Sequence, residues 1–136
     1  MILGLGTDVV EVARIERMIE DHGDHFLHRV FTAGEIEHCQ PRREAAQHFA
    51  GRWAAKEAVM KALGTGFTKE VGWTDVDIGV RPSGQPYVRL HGSARNYATG
   101  LGIGEILISI SHTKNIATAT AVALPISNGP VSGEVC

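Results

Sequence analysis

The spacing of apolar and polar positions changes along the chain and divides it into elements. Residues 2–7, ILGLGT, predict a strand that breaks at Asp8. The apolar residues that follow are three and four positions apart, as on one face of a helix: Val12, Ile15 and Ile19. The chain is therefore expected to open with a strand, an acidic turn and a helix.

A second helix is predicted at the centre of the chain, where residues 52–66 have the sequence RWAAKEAVMKALGTG. Most of these residues are strong helix formers, and Gly64 stands where a left-handed residue would end the helix. Pro41 marks the break before it. The apolar arc expected to pack in the core consists of Phe49, Trp53, Met60 and Leu63. Lys56 lies inside this arc, so its ammonium group must either extend past the aromatic rings to water or meet an anion.

Two charged residues, Glu57 and Lys61, lie beside the apolar arc on a flank that they share with the small residues Ala50 and Ala54. One interpretation is an exposed ion pair between residues four apart, contributing roughly 0.3–0.5 kcal/mol. The other is a flank with room for a ligand, in which the carboxylate binds a hard metal ion and the ammonium group binds phosphate. The residues alone leave both interpretations open.

The second half of the chain has the shorter period of strands. Two alternating runs joined by the turn sequence RPSGQP predict a β-hairpin over residues 75–90. A short helix near residues 93–101 precedes two further β-rich runs around a polar turn at 112–115. With no repeat or linker, residues 1–124 are expected to form a single α+β domain, in which a mostly antiparallel sheet packs with the long central helix. Residues 125–136 are rich in Pro, Gly and Ser and predict a disordered tail.

Hydroxyl groups and a histidine occur together in SISHT, residues 109–113. In a strand, His112 shares a face with the neighbouring isoleucines, whereas Ser111 lies on the opposite face. Ser111 and His112 therefore point apart, which argues against a serine hydrolase, because nucleophile and base must be within hydrogen-bond reach. His112 is either a polar residue that ends a strand or part of a phosphate site, together with the neighbouring hydroxyls and turn amides.

Composition limits the function classes without identifying one. Of the 136 residues, 43% are hydrophobic and 21% are charged, and the formal net charge of −2 gives no net attraction to nucleic acid or an anionic membrane. The first ten residues lack the features of a signal peptide and no stretch approaches a membrane span, so a cytoplasmic location is expected. Cys39 and Cys136 have no zinc-ligand spacing and are expected to be free thiols.

Four segments, in this order and spacing, resemble the holo-acyl-carrier-protein synthases, the small bacterial 4'-phosphopantetheinyl transferases: GLGTDVVEVARIE, FAGRWAAKEAVMKALGTG, PSGQPYVRLHG and ISISHT. The resemblance covers about residues 1–124, and the tryptophan, lysine, glutamate and second lysine of the central motif are its most specific part. It implies the α+β fold of that family. It also implies transfer of 4'-phosphopantetheine from coenzyme A to a serine hydroxyl of acyl carrier protein, with release of adenosine 3',5'-bisphosphate.

The resemblance further implies the roles of individual residues. Asp8 and Glu57 match the Mg²⁺ ligands, and Lys61 would stabilise charge on the transferring phosphate, so these three are the expected catalytic residues. Whether a water on the metal or one of the carboxylates takes the serine proton stays open. Seven residues match the coenzyme A site, with Arg52 and His112 near the nucleotide and its 3'-phosphate: Arg52, Lys61, Gly64, Gly66, Ser111, His112 and Thr113.

The resemblance also implies a trimer with an active site at each subunit boundary. It implies that the carrier protein binds to the first helix. Arg14, Arg17 and Met18 match that docking role. The same region is more acidic than is usual in the family, so docking is expected to be weaker or less dependent on salt. The acidic residues are Glu11, Glu16, Glu20, Asp21 and Asp24.

Two other functions stay open at this point. A metal-dependent phosphohydrolase that cleaves the coenzyme A pyrophosphate would use the same acids and lysine but would pass the phosphoryl group to water. A non-catalytic coenzyme A binding protein would need the phosphate sites without needing Asp8 and Glu57 together. Their joint presence therefore argues against the non-catalytic alternative.

Overall fold

In a computed structural model of the chain, residues 1–64 and 71–127 are described. The elements, in chain order, are β1 (Gly4–Glu11), α1 (Val12–Val30), α2 (Ala33–Cys39), α3 (Ala45–Leu63), β2 (Val76–Val80), β3 (Pro86–Leu90), α4 (Gly92–Gly100), β4 (Ile103–His112) and β5 (Ile116–Pro125). The long central helix, the hairpin, the short helix after it and the two final strands agree with the sequence predictions. The predicted α+β fold with antiparallel sheets is confirmed.

The main sheet has three antiparallel strands in the order β1-β5-β4, so β1 and β4 form its two edges. One face of the sheet is covered by α3. The central strand turns a row of small buried residues toward the helix: Ala117, Ala119, Ala121 and Ala123. Close contact also depends on β1, because a Cβ on Gly6 would lie 1.9 Å from the carbonyl oxygen of Ala58. Backbone of β1 and backbone of α3 are therefore nearly in contact, which fixes the side chains of α3 against the sheet.

The prediction that the first strand breaks at Asp8 is wrong. All eight residues of β1 pair with β5, and Asp8 lies opposite Ala119 in the middle of the strand. The backbone pairing with β5 carries the strand through Asp8, and the Asp8 side chain has a cationic partner on α3, where Lys61 Nζ lies 3.2 Å from Asp8 Oδ1. Helix α1 then starts at Val12 and is kinked at Gly23, which has a φ of 53°.

Helix α2 had no counterpart in the sequence prediction. Its N-terminus is a capping box, in which the Thr32 hydroxyl accepts from the Glu35 N–H and the Glu35 carboxylate accepts from the Thr32 N–H. The same carboxylate accepts from the Ile78 N–H of β2 at 2.7 Å. Glu35 therefore ties α2 to the hairpin.

Glu35 is also the anion that Lys56 meets. Lys56 Nζ lies 2.9 Å from Glu35 Oε1, both side chains are fully buried, and the ammonium group also donates to the backbone carbonyls of Trp73 and Val76. Burial raises the pKa of Glu35 and lowers that of Lys56, while their mutual attraction opposes both shifts. Lys56 therefore meets an anion in a buried ion pair and does not extend past the aromatic rings to water.

The central helix is buried on more of its surface than one apolar arc. All four residues of the predicted arc are buried, and Gly64 ends the helix in the left-handed conformation, with φ of 79°, as predicted. The expected room beside Ala50 and Ala54 is absent, because both alanines are fully buried. Space for a ligand on this flank remains only at Glu57 and Lys61, which keep partial exposure.

The remaining sequence predictions concern the chain's cysteines, membrane segments and tail. Cys39 is a free thiol, and burial raises its pKa to about 11. Gly66 and Cys136 lie outside the described residues. Among the described residues, no helix has the length and apolar character needed to cross a membrane. Strand β5 runs to Pro125, and the Ile126 N–H still donates to the Gly102 carbonyl.

Candidate active site

Asp8 and Glu57 come together with Lys61 at the β1 edge of the sheet. Lys61 Nζ donates to Asp8 Oδ1 at 3.2 Å and to the Thr7 carbonyl at 2.9 Å. Within the described part of the chain, Lys61 therefore pairs with Asp8 rather than with Glu57. The simple i,i+4 ion pair on α3 is not the arrangement found.

The Asp8 carboxylate acts on the ionisation of Glu57. Partial burial raises the pKa of Glu57, and the neighbouring Asp8 carboxylate raises it further, whereas Lys61 and Arg14 lower it. A carboxylate whose ionisation is disfavoured by a second carboxylate would be stabilised by a cation that bound both. A group of three or more metal-binding side chains is not found in residues 1–64 and 71–127. Two carboxylates are nevertheless enough for Mg²⁺, which keeps several ligand positions for water and phosphate oxygens.

A second cluster lies at the opposite edge of the sheet. It surrounds a cavity of about 250 Å³ between α2, α3, β4 and the β2–β3 turn, and none of the described residues that line it is acidic. Its cationic or titratable side chains are His38, Arg42, His48, Arg52 and His112. A cavity with this lining is suited to a phosphate group.

Arg52 gives this cavity an unsatisfied donor. The residue is only 6% exposed, and its Nε–H has no acceptor among the described residues. A buried guanidinium N–H without a partner is costly, so an anion that supplied the acceptor would stabilise the site. The charge of Arg52 also acts on the neighbouring histidines. The pKa values of His38 and His48 are lowered first by burial and then by surrounding positive groups that include Arg52.

His112 lies at the rim of the same cavity. Its Nδ1 is 3.1 Å from Gln47 Oε1, and its ring meets the ring of His48 edge to face at 5.1 Å between centroids. Ser111 lies on the other face of β4, as the strand pattern predicts. The Thr113 hydroxyl accepts from the N–H groups of Asn115 and Ile116 in the turn between β4 and β5.

The predicted site residues therefore fall into two groups within one chain. Asp8, Glu57 and Lys61 lie at the β1 edge, and Arg52 and His112 lie at the β4 edge, with β5 between them. Two strand spacings separate the edges, or about 10 Å before side chains are counted. One chain does not bring the two groups into a single cavity.

The predicted docking residues lie on α1 beside an aromatic cluster. Met18 lines an apolar cavity of about 370 Å³ together with Phe26, Trp53 and Trp73. The Arg14 guanidinium lies over the Trp53 ring, 5.3 Å from its centroid, whereas Arg17 is exposed. The sequence prediction missed Phe26 and Trp73, because nothing in the local pattern shows that residues so far apart share a cavity.

Comparison with known proteins identifies the family of the chain. The 4'-phosphopantetheinyl transferase superfamily matches residues 4–120. The holo-[acyl-carrier-protein] synthase of Koribacter versatilis is 47% identical over 122 residues, which are 90% of this chain and 98% of that protein. The synthase of Rhodopirellula baltica is 46% identical over 121 residues, covering 89% and 96%.

Solved structures show the same likeness. The holo-[acyl-carrier-protein] synthase of Neisseria meningitidis matches with a TM-score of 0.85 and 31% identity, over 91% of this chain and 99% of that chain. The Helicobacter pylori synthase, solved in complex with coenzyme A, has a TM-score of 0.79 and 32% identity, covering 88% and 99%. The family match and the fold thus define the class of this protein, which is a small transferase. The chain belongs to the 4'-phosphopantetheinyl transferase superfamily and, within it, to the holo-[acyl-carrier-protein] synthases.

Proposed function

We propose that this enzyme transfers 4'-phosphopantetheine from coenzyme A to a serine hydroxyl of an apo acyl carrier protein in the cytoplasm. The serine oxygen forms a bond to the β-phosphorus while the bond to the bridging oxygen of the pyrophosphate breaks. Adenosine 3',5'-bisphosphate leaves with that oxygen, and the serine proton is released. The observation that carries the proposal is the meeting of Asp8, Glu57 and Lys61 at the β1 edge.

Asp8 and Glu57 are the residues that would hold Mg²⁺. The Asp8 carboxylate raises the pKa of Glu57, and the two acids come from different elements, which fits a cation with few protein ligands. Mg²⁺ bound there would neutralise negative charge on the pyrophosphate of coenzyme A. Lys61 is half-exposed and already lies against Asp8, so its ammonium group can hydrogen-bond an oxygen of the transferring phosphate and stabilise charge on it.

The cationic cavity at the β4 edge is the proposed anchor for the nucleotide. Arg52 offers a buried N–H without a protein acceptor, and His112 lies at the rim. A 3'-phosphate carries the charge and the acceptor oxygens that these groups lack. The Helicobacter pylori relative was solved in complex with coenzyme A, which supports coenzyme A as the substrate.

A trimer would bring the two groups of residues together. We propose that the β1 edge of one subunit faces the β4 edge of the next, so that a ring of heterologous contacts closes after three subunits. The face of the sheet away from α3 carries exposed apolar side chains suited to such contacts, including Leu5 at 65%, Val9 at 62% and Leu107 at 47% exposure. Coenzyme A bound across the boundary would then contact both groups of residues.

The first helix is the proposed docking surface for the carrier protein. Arg17 is exposed, and Met18 lies at the edge of the apolar cavity that Phe26, Trp53 and Trp73 also line. An acidic, amphipathic partner helix fits a surface with arginines beside an apolar recess. Arg14, which also matches the docking role, has contacts beyond docking. Its guanidinium stacks on Trp53, and its charge lowers the pKa of Glu57.

Intact-mass analysis of a carrier protein tests the proposed function. The enzyme is incubated with coenzyme A, Mg²⁺ and an apo acyl carrier protein, and the carrier should gain the mass of one phosphopantetheine group. Glu57→Gln is the matched variant, because it keeps the shape of the side chain and removes the charge, and it should give little product. An unmodified carrier would refute the transfer. Release of nucleotide without any carrier would instead support a phosphohydrolase.

A further inference from the structure

A short chain of hydrogen bonds leads from Glu44, just before α3, to His112 at the end of β4. The Gln47 amide nitrogen donates to Glu44 Oε2 at 3.3 Å, and Gln47 Oε1 lies 3.1 Å from His112 Nδ1. The three side chains come from two elements that are far apart in sequence. Neither the paired acids nor the proposed docking surface involves Gln47.

Donor and acceptor chemistry fixes the direction of this chain. An ionised carboxylate only accepts hydrogen bonds, so the NH₂ group of Gln47 must face Glu44. The amide oxygen of Gln47 then faces His112, and the imidazole nitrogen next to it must carry a hydrogen for a bond to form. The neutral ring of His112 is therefore held with its hydrogen on Nδ1. Its Nε2 then carries a lone pair.

This tautomer matters because of what His112 faces. The ring lines the cationic cavity with Arg52, and no hydrogen bond to Nε2 occurs among the described residues. A phosphate dianion offers acceptor oxygens only, so a lone pair on Nε2 would repel it. The ring can donate from Nε2 only when it takes up a second hydrogen and becomes an imidazolium.

Other charged or titratable groups line the same cavity as the His112 ring. His48 and Arg52 come from α3, His38 from α2 and Arg42 from the loop between these helices. An arginine side chain is not deprotonated in proteins and so supplies no proton. His38 and His48 have pKa values that burial and the neighbouring positive groups lower, so both are available to titrate with the ligand. Any measurement must therefore separate their contribution from that of His112.

We propose that Gln47 is a positioning residue, which holds His112 in the Nδ1–H tautomer and thereby couples capture of a phosphate monoester in this cavity to uptake of a proton. The phosphate half of this inference rests on the proposed function, in which the cavity holds the 3'-phosphate of coenzyme A. The tautomer half rests on the contacts of Gln47 alone.

Nuclear magnetic resonance of the ligand-free protein tests the tautomer. Long-range ¹H–¹⁵N spectra of histidine-labelled enzyme distinguish a protonated from an unprotonated ring nitrogen, and His112→Gln identifies the signals of His112. At a pH where the ring is neutral, the wild type should have its hydrogen on Nδ1. Gln47→Leu should move the population toward the Nε2–H form. Gln40→Leu, at an exposed glutamine, is the matched control and should leave the spectrum unchanged. An Nε2–H ring in the wild type would overturn the inference.

Calorimetry tests the coupling to phosphate. Binding of adenosine 3',5'-bisphosphate is measured in buffers of different ionisation enthalpy, which gives the number of protons taken up for each ligand bound. Where one proton is taken up for each ligand bound, wild-type binding should weaken by as much as about tenfold for each unit of rising pH. In Gln47→Leu the neutral ring is free to donate from Nε2, so the proton uptake and the pH slope should both fall toward the values for His112→Gln. That variant measures the uptake due to His38 and His48.

The outcomes separate the two claims. A Gln47→Leu enzyme that binds the bisphosphate with the wild-type pH slope and proton count would overturn the inference and leave the proposed function intact. A wild type that does not bind the bisphosphate at all would overturn the phosphate role of the cavity and, with it, the coupling. The ligand-free spectra would then still show whether Gln47 sets the tautomer.

Discussion

Mixing two defective variants tests whether each active site is shared between neighbouring subunits. Glu57→Gln damages the acidic group at the β1 edge, and His112→Ala damages the cationic group at the β4 edge. Both side chains keep some exposure, so neither substitution should unfold the protein. If a site combines the β1 edge of one subunit with the β4 edge of the next, a mixed ring contains boundaries at which both halves are intact.

The expected recovery follows from the geometry of the ring. When equal amounts of the variants assemble at random, half of the β1 edges and half of the β4 edges are undamaged, so about one boundary in four is intact. The mixture should therefore reach about one quarter of the wild-type kcat/KM for coenzyme A. The residual activity of the damaged boundaries should be small by comparison. Loss of a charge-assisted hydrogen bond should reduce kcat/KM of the His112→Ala enzyme by roughly tenfold or more.

The assay unfolds and refolds the two variants together and measures carrier modification at coenzyme A concentrations far below KM. The same variants refolded separately and then combined provide the control for residual activity. Sedimentation should show that every sample contains trimers. If the co-refolded trimers are no more active than the variants refolded separately and then combined, the shared site is refuted. The acidic group at the β1 edge and the cationic group at the β4 edge would then have to act within one chain.

Three further predictions follow from the contacts described above. Asp8→Ala and Glu57→Ala should each abolish most Mg²⁺-dependent turnover, and the double variant should be little worse than either, because the two acids act as one unit. Arg17→Glu should raise KM for the carrier protein while leaving KM for coenzyme A unchanged, and added salt should reduce the difference in a steady-state assay. Lys56→Met should lower the free energy of unfolding by about 3–5 kcal/mol in urea denaturation, because Glu35 would be left buried without its partner.

Each of these predictions has an outcome that contradicts it. Modest and additive losses in the two acid variants would show that Asp8 and Glu57 do not share a ligand. An unchanged carrier KM for Arg17→Glu at low ionic strength would exclude that arginine from docking. Lys114→Met, at an exposed lysine, is the control for Lys56→Met, and equal stability changes in the two variants would contradict the importance of the buried pair.

Local patterns predicted most of the secondary structure because the forces behind them act over a few residues. The helix that ends at Gly64 and the hairpin around RPSGQP depend on helix propensity, a left-handed terminus and turn chemistry, all of which are present in short segments. Helix α2 was missed even though Thr32 and Glu35 have the spacing of a capping box. That helix has only seven residues, too few for a clear apolar period, so the capping box was the one local feature that could have predicted it.

The errors arose where a distant partner decides the outcome. Asp8 was expected to break its strand, but its backbone pairs with Ala119 and its side chain with Lys61, and neither partner is visible from the local sequence. Lys56 posed a choice between water and an anion that only the position of Glu35 resolves. Tertiary partners therefore override local preference at the charged positions first, because an unpaired buried charge is the most costly feature in the fold.

The strand order decides how the site residues are distributed in space. The motif residues follow one another closely on α3, which suggests one compact site, yet α3 lies across the sheet and directs Lys61 toward β1 and Arg52 toward β4. Which strands form the two edges depends on β5 pairing between β1 and β4, and no short motif encodes that arrangement. Motif residues that are close together in sequence are thus divided between the two edges of the sheet. The division is what makes the number of subunits, and not only the identity of the residues, part of the catalytic proposal.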